Sequence, residues 1–399
     1  TSNTTGSNNT AFGGASLATN STGGSNTAIG YGSLTACSTG DNNTAVGQDS
    51  LGTLTTANNN TALGYSSGLS LTTGTGNVFI GYAAGDSVTT ANQNTIIGAF
   101  AGQDLTDQSA NTFLGEEAGQ NTIGEANTFL GAFAGENTND VDRCIGIGRA
   151  AMLGVDGSTS GNNNIAIGFN SMLAVTTGVQ NISIGNTSLD AMTTGDNNTC
   201  LGHNTMSSLT TGGSNTAIGA FALDANTTAS NNTAVGVDAL GANTTGQNNV
   251  AVGANTLDAN TTGAFNTSLG QGSMTSNTTG SDSVAVGYFA LSTATTGGQN
   301  SALGYLALQD VTTATGNTGI GYQAGKDITT GTNNTFIGNN SGIAQTTATD
   351  NTAVGHATLA ANTSGNGLVA VGSNCLDANT TGSNNTAIGR SALGANTTG

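Results

Sequence analysis

Along this chain a short apolar pulse, Thr-Ala-Val-Gly or Thr-Ala-Ile-Gly, alternates with a longer polar stretch of Asn, Thr, Ser and Gly. The pulse ends on Gly13, Gly30, Gly47 and Gly64 near the start and on Gly355, Gly372 and Gly389 near the end. It occurs 23 times, 17 residues apart except for a 16-residue step from Gly115 to Gly131 and a 20-residue step from Gly148 to Gly168. The consensus is T-A-V/I-G-x-x-A/S-L-x-x-N-T-T-G-x-N-N, numbered here 1 to 17 from the Thr. Apolar and polar residues alternate with period two through the pulse, as in a short strand. Asn, Thr and Gly are poor helix formers, and their clusters mark turns. A fixed short period of this kind predicts an all-β, parallel β-solenoid (a β-roll or β-helix) of about 23 coils with a 17-residue repeat. Stacked coils bury a continuous core that no single coil could bury.

Residues 1–399 are expected to form one continuous repeat domain. Its register defects fall near 116–131 and 153–163, where insertions belong in turns. The chain opens at repeat position 9 and stops at position 14, without caps. That predicts an excerpt of a longer fibre or a subunit that polymerises through its ends.

In a solenoid each repeat position becomes a column. Position 3 is apolar in all 23 repeats, from Phe12 and Ile29 to Ile388, so it is expected to be the core. Position 1, Thr or Val, should face inward with it. Position 2 then alternates outward, which would expose Phe79, Phe113, Phe129 and Phe336 and make them candidates for self-association. Position 7 holds only Ala, Ser, Thr or Cys, a sign of close approach. Position 8 is Leu or Met in 16 repeats and Gly in seven, with apolar residues such as Leu71, Val88, Leu105 and Ile328 appearing nearby. Position 17 is Asn in 20 repeats, the composition of a hydrogen-bonded ladder or turn. Position 4 is always Gly, which calls for positive φ or close backbone approach.

Position 5 collects every tyrosine and both histidines: Tyr31, Tyr65, Tyr82, His203, Tyr288, Tyr305, Tyr322 and His356. Large polar-tipped side chains confined to one column predict a solvated flank, and the sharper reading is a stripe contacting a receptor or glycan.

Composition narrows the function. Four Lys and Arg stand against 22 Asp and Glu, a net charge of −18, which argues against nucleic acid as partner. No apolar run is long enough to insert in a membrane. The two histidines lie nine repeats apart, so no His-centred catalytic site assembles. Asp86, Asp104, Asp190, Asp224, Asp258, Asp310, Asp327 and Asp377 recur at positions 9 and 10, but no calcium-roll motif accompanies them. Calcium is therefore a weaker expectation than no cofactor at all. Cys37, Cys144, Cys200 and Cys375 fall in distant repeats and should be small buried residues without disulfides. The Asn-Thr-Thr sequons at Asn226, Asn243 and Asn260 follow from the repeat itself.

The motif NTAVG/NTAIG…AL…NTTGSNN, at Asn215–Leu223, Asn232–Gly246 and Asn379–Gly394, resembles repeats of phage tail-fibre and bacterial surface fibre proteins. More distantly it resembles the head repeats of YadA-like trimeric autotransporter adhesins. The resemblance implies a structural or adhesive extracellular fibre at a cell surface or on a virion, self-associating end to end or as a trimer, without catalysis. A ligand- or ice-binding solenoid is the alternative, and a polysaccharide-degrading β-helix a more distant one. Ice-binding faces call for two outward Thr columns, whereas the Thr pair at positions 12 and 13 should turn only one outward.

Overall fold

The computed structural model describes residues 3–155 and 159–399. Among them are 23 strands of three residues and no helix. Each strand covers positions 1 to 3 of one repeat, and turns complete the coil. The chain divides into two compact units, Thr1–Asn198 and Thr199–Gly399. The first carries β1 (Thr10–Phe12) to β11 (Ile182–Ile184), and the second β12 (Thr199–Leu201) to β23 (Thr386–Ile388). Within each unit successive strands pair in parallel, in the 17-residue register outside the two defects, as in Thr216↔Thr233 and Ile218↔Val235. This is the parallel β-solenoid that the period predicts.

Both register defects are absorbed outside the strands. Thr112 still faces Thr128, and Ile145 still faces Ile165. The 16-residue coil is short by one residue between the buried Thr122 and Gly124. The longer coil gains its residues in the 153–163 stretch, of which 156–158 lie outside the described residues. After them Thr159 is buried and its hydroxyl donates to the Val175 carbonyl at 3.0 Å.

The strands present the face opposite to the one expected. Their middle residue, position 2, points inward: Phe79, Phe113, Phe129 and Phe336 are fully buried and are the largest side chains of the core. Positions 1 and 3 point out, and Leu63, Leu201, Ile218, Leu303 and Ile337 are between 37% and 49% exposed. Position 3 is therefore not the core, and the four phenylalanines are not a self-association surface. The reason is steric. The core is a thin layer in which position 2 meets position 8, and the two share a fixed volume. Most coils fill it with Ala at 2 and Leu or Met at 8. Where position 2 is Phe or Ile, position 8 of that coil is Gly. A Cβ on Gly325 or Gly342 would strike the ring of Phe336, and one on Gly68 or Gly85 the ring of Phe79. Phe113 and Phe129 stack in adjacent coils, with centroids 5.3 Å apart.

Position 11 is the third core column, mostly aliphatic residues (Leu54, Leu71, Val88, Leu105) or Asn, with Cys37, Thr122, Thr138, Met192 and Gln345 in single coils. The Asn column at position 17 is buried and forms a ladder. Asn249 accepts the Asn266 N–H on Oδ1 at 3.0 Å and donates from Nδ2 to the Gly263 carbonyl at 2.9 Å. Its own N–H goes to Oδ1 of Asn232 in the preceding coil. Each amide thus satisfies backbone groups at a corner where no strand partner exists. Ser283 keeps the ladder going through Oγ, which accepts the Asn300 N–H at 3.2 Å.

The turn after each strand needs glycine at position 4. Gly253 has φ +136°, and a Cβ there would lie 2.8 Å from the carbonyl carbon of Gly270 in the next coil. Both dihedral and space exclude a side chain.

Candidate interaction surface

Position 5 follows that glycine corner and points to solvent, so all six tyrosines are exposed, as are His203 and His356. Equal positions in successive coils bring some of them together. Tyr288, Tyr305 and Tyr322 form a stack with centroid spacings of 5.5 and 5.2 Å and ring planes within 7° of parallel. Phe289 closes edge-on against Tyr288 at 4.6 Å. Tyr65 and Tyr82 make a shorter stack at 5.3 Å, finished edge-on by Phe100. His203 meets Phe221 edge-on at 5.6 Å. Within a stack the ring faces cover one another, so the surface shows ring edges and a row of hydroxyls. A sugar ring laid flat on a tyrosine finds no free face between two members of a stack.

Beside this column runs the outward side of the strands. Position 1 contributes Thr, Ser, Val or Ile and position 3 only aliphatic residues or Phe12, so neither holds a charge. The result is an uncharged strip with an exposed or half-buried aliphatic residue at position 3 in every coil after the first. Reading position 3 as core hid this strip, although the coincidence of Phe at position 2 with Gly at position 8 was a signal for the true orientation.

The threonines of positions 12 and 13 behave differently from each other. Position 12 is half-buried, and its hydroxyls donate to the next coil, as from Thr261 to the Thr278 carbonyl and from Thr278 to Thr295, both at 3.0 Å. Position 13 is exposed. Only one Thr column of the pair faces water, as the alternation predicts.

The acids of positions 9 and 10 lie partly in the shade of the coil. Burial raises the carboxyl pKa values of Asp86, Asp190, Asp224, Asp258 and Asp310 above their ordinary range. Like charge from Asp238 adds to the effect at Asp224 and Asp258, and Asp104 adds to it at Asp86. Asp310 and Asp327 flank Lys326, whose Nζ lies 2.8 Å from Asp327 and 4.0 Å from Asp310. Among the described residues, no three or more His, Cys, Asp or Glu side chains converge to hold a metal ion.

Arg149 sits over the rings of Phe133 and Phe169, at 5.2 and 5.9 Å. With Glu136, Leu153 and Leu173 it lines a shallow hollow of about 300 Å³, which the sequence did not announce. Burial, then the charge of Glu117, raises the Glu136 carboxyl. The four cysteines are free and buried, as expected. Burial pushes the Cys144 thiol up to about 11 and that of Cys200 higher still, so neither supplies a thiolate at neutral pH. Asn226, Asn243 and Asn260 are also buried, and their Nδ2 groups donate to the Ala229 carbonyl, the Gly246 carbonyl and Oδ1 of Asn243, so these sequon side chains are engaged in the fold.

Compared with known protein families and with curated proteins, the chain matches none.

Proposed function

We propose that this chain is a non-catalytic structural and adhesive segment of an extracellular fibre, of the kind found in phage tail fibres and bacterial surface filaments. The observation that carries this reading is the uniform coil-to-coil bonding. Strand register, the Asn ladder and the Thr hydroxyl column each link one coil to the next, so the chemistry of the molecule is spent on axial continuity. A catalytic or small-ligand protein breaks its repeat where its site is built. Here the core columns vary mainly by volume-conserving exchange, and the wider variation lies at outward positions such as 5. The Tyr column at position 5 supplies the contact stripe, with its hydroxyl rows directed at a surface glycan or receptor. Other copies of the chain are the remaining partner, and no cofactor takes part.

Antibody raised against the chain tests this directly. Immunogold microscopy of the producing cells and their phages should decorate filaments at the cell surface or on virions. Label confined to the cell interior would overturn the reading.

A further inference from the structure

We propose that the outward strand face is the surface through which two copies of this chain pair side by side. The inference names the self-association partner surface of the fibre reading and rests on that reading only for its setting.

Three observations in Thr199–Gly399 support it. The first is continuity. All twelve coils of this unit present an aliphatic residue at position 3, from Leu201 to Ile388. Position 1 adds Val250, Val284 and Val369, each more than a third exposed. Twelve coils at about 4.8 Å each extend the strip about 55 Å, and three strand residues with their flanks make it about 13 Å wide. That is on the order of 700 Å² per copy, close to the ~800 Å² per partner of a stable interface.

The second observation is charge. The unit carries eight acids, Asp224, Asp238, Asp258, Asp282, Asp310, Asp327, Asp350 and Asp377, and none lies at positions 1, 3 or 5. Two acidic copies repel wherever those carboxylates face; the strand face carries none, and of the acid-free outward columns it is the one with an aliphatic side chain to bury in every coil. The third is spacing. Side chains stand one coil apart along the strip, so a partner with the same period seats a residue in every gap, as facing sheets do in dry zippers. A second copy of this chain has that period by construction.

Sedimentation velocity at about 10 µM and 0.15 M salt provides the test. The 399-residue chain should sediment as a dimer or larger species. Leu269→Lys, Leu303→Lys and Ile337→Lys together place a charge on alternate coils of the face and should raise the dissociation constant at least tenfold, with the circular dichroism spectrum unchanged. Leu269→Thr, Leu303→Thr and Ile337→Thr should weaken pairing in the same direction, and they keep the test open if the lysine set fails to fold. Thr245→Lys, Thr262→Lys and Thr279→Lys, on the exposed position 13 column, should leave association as it is. A monomeric wild-type chain, folded face variants that associate normally, or a position 13 set that dissociates equally would each overturn the proposal. Pairing by this face without any fibre label would instead sink the fibre reading and leave the interface standing.

Discussion

The ring of Phe113 occupies the space that a side chain at Gly119 would need. A Cβ there would lie 2.6 Å from the nearest ring carbon, and the next two nearest atoms also belong to Phe113. In the coils with Leu or Met at position 8, that side chain takes the volume and position 2 is small. The two positions therefore form one packing unit, and their chemistry sets the orientation of the strand.

That unit predicts a coupled pair of substitutions. Phe113→Ala should cost about 3–5 kcal/mol by emptying the core, and Gly119→Leu about 1–3 kcal/mol by overfilling it. The double variant reproduces the Ala–Leu pairing found in other coils, such as Ala217 with Leu223. It should lose clearly less than the sum, as measured by chemical denaturation in a double-mutant cycle. Additive losses would show that the two sites do not share a cavity.

Glycine at position 4 is required for two reasons at once. Gly253→Ala must hold φ near +136° and push a methyl against the Gly270 carbonyl carbon, so a loss of roughly 1–3 kcal/mol from strain alone is expected. Glycine at position 14 has ordinary φ, and Ala57, Ala229 and Ala314 occupy that column elsewhere. A Cβ on Gly246 would still strike the Gly263 carbonyl oxygen, so Gly246→Ala should also lower the melting temperature, through crowding alone and without the dihedral strain of Gly253→Ala.

Asn249→Ala removes both halves of a ladder rung. It leaves the Asn266 N–H without its acceptor, which costs about 1–3 kcal/mol for a buried group left unsatisfied, while the Gly263 carbonyl keeps the bond donated by Asn260 Nδ2. Asn249→Ser keeps an acceptor, as Ser283 does in its own coil, and should recover part of the loss in the same melts.

Acid should stabilise this fold. The shifted carboxyls, Asp86, Glu136, Asp190, Asp224, Asp258 and Asp310, all have pKa values raised in the folded chain, chiefly by burial. The folded state then binds protons more readily than the unfolded one. Each group's penalty is present above its folded pKa and is relieved as pH falls through that value toward the ordinary carboxyl range. Lys326, raised by its hydrogen bond to Asp327, contributes stability below the ordinary lysine range that is lost as pH climbs through its folded pKa. The melting temperature should rise between pH 7 and pH 4 and fall in strong alkali. A steady fall from pH 7 to pH 4 would contradict these shifts.

The architecture was legible because the repeat is a count: 23 glycines at one spacing leave little room for anything but stacked coils. Orientation was less legible. A three-residue strand has only two faces, and uniform hydrophobicity at position 3 pointed to the wrong one, because aliphatic residues there serve an exposed sheet face. The size exchange between Phe79 or Phe336 at position 2 and the glycines at position 8 carried the answer, and it is a pattern across columns instead of within one. The tyrosines of position 5 were placed outward by their polar tips, as the structure has them. Their stacking, which removes the ring faces from use, depends on coil-to-coil distance and rotation that no single repeat encodes. The hollow beside Arg149 arises from the arrangement of three successive coils and has no motif of its own.

Ala217 and Ile218, adjacent in one strand, test the central claim most directly. Ala217 is fully buried and Ile218 is 37% exposed. Thermal unfolding of Ala217→Asp and Ile218→Asp, followed by far-ultraviolet circular dichroism, reads which side faces the core. The account predicts that Ala217→Asp destabilises strongly, by about 3–5 kcal/mol for an unpaired buried charge, while Ile218→Asp retains the β spectrum and melts near the parent. The reverse order, with Ile218→Asp unfolding the chain and Ala217→Asp tolerated, would contradict it.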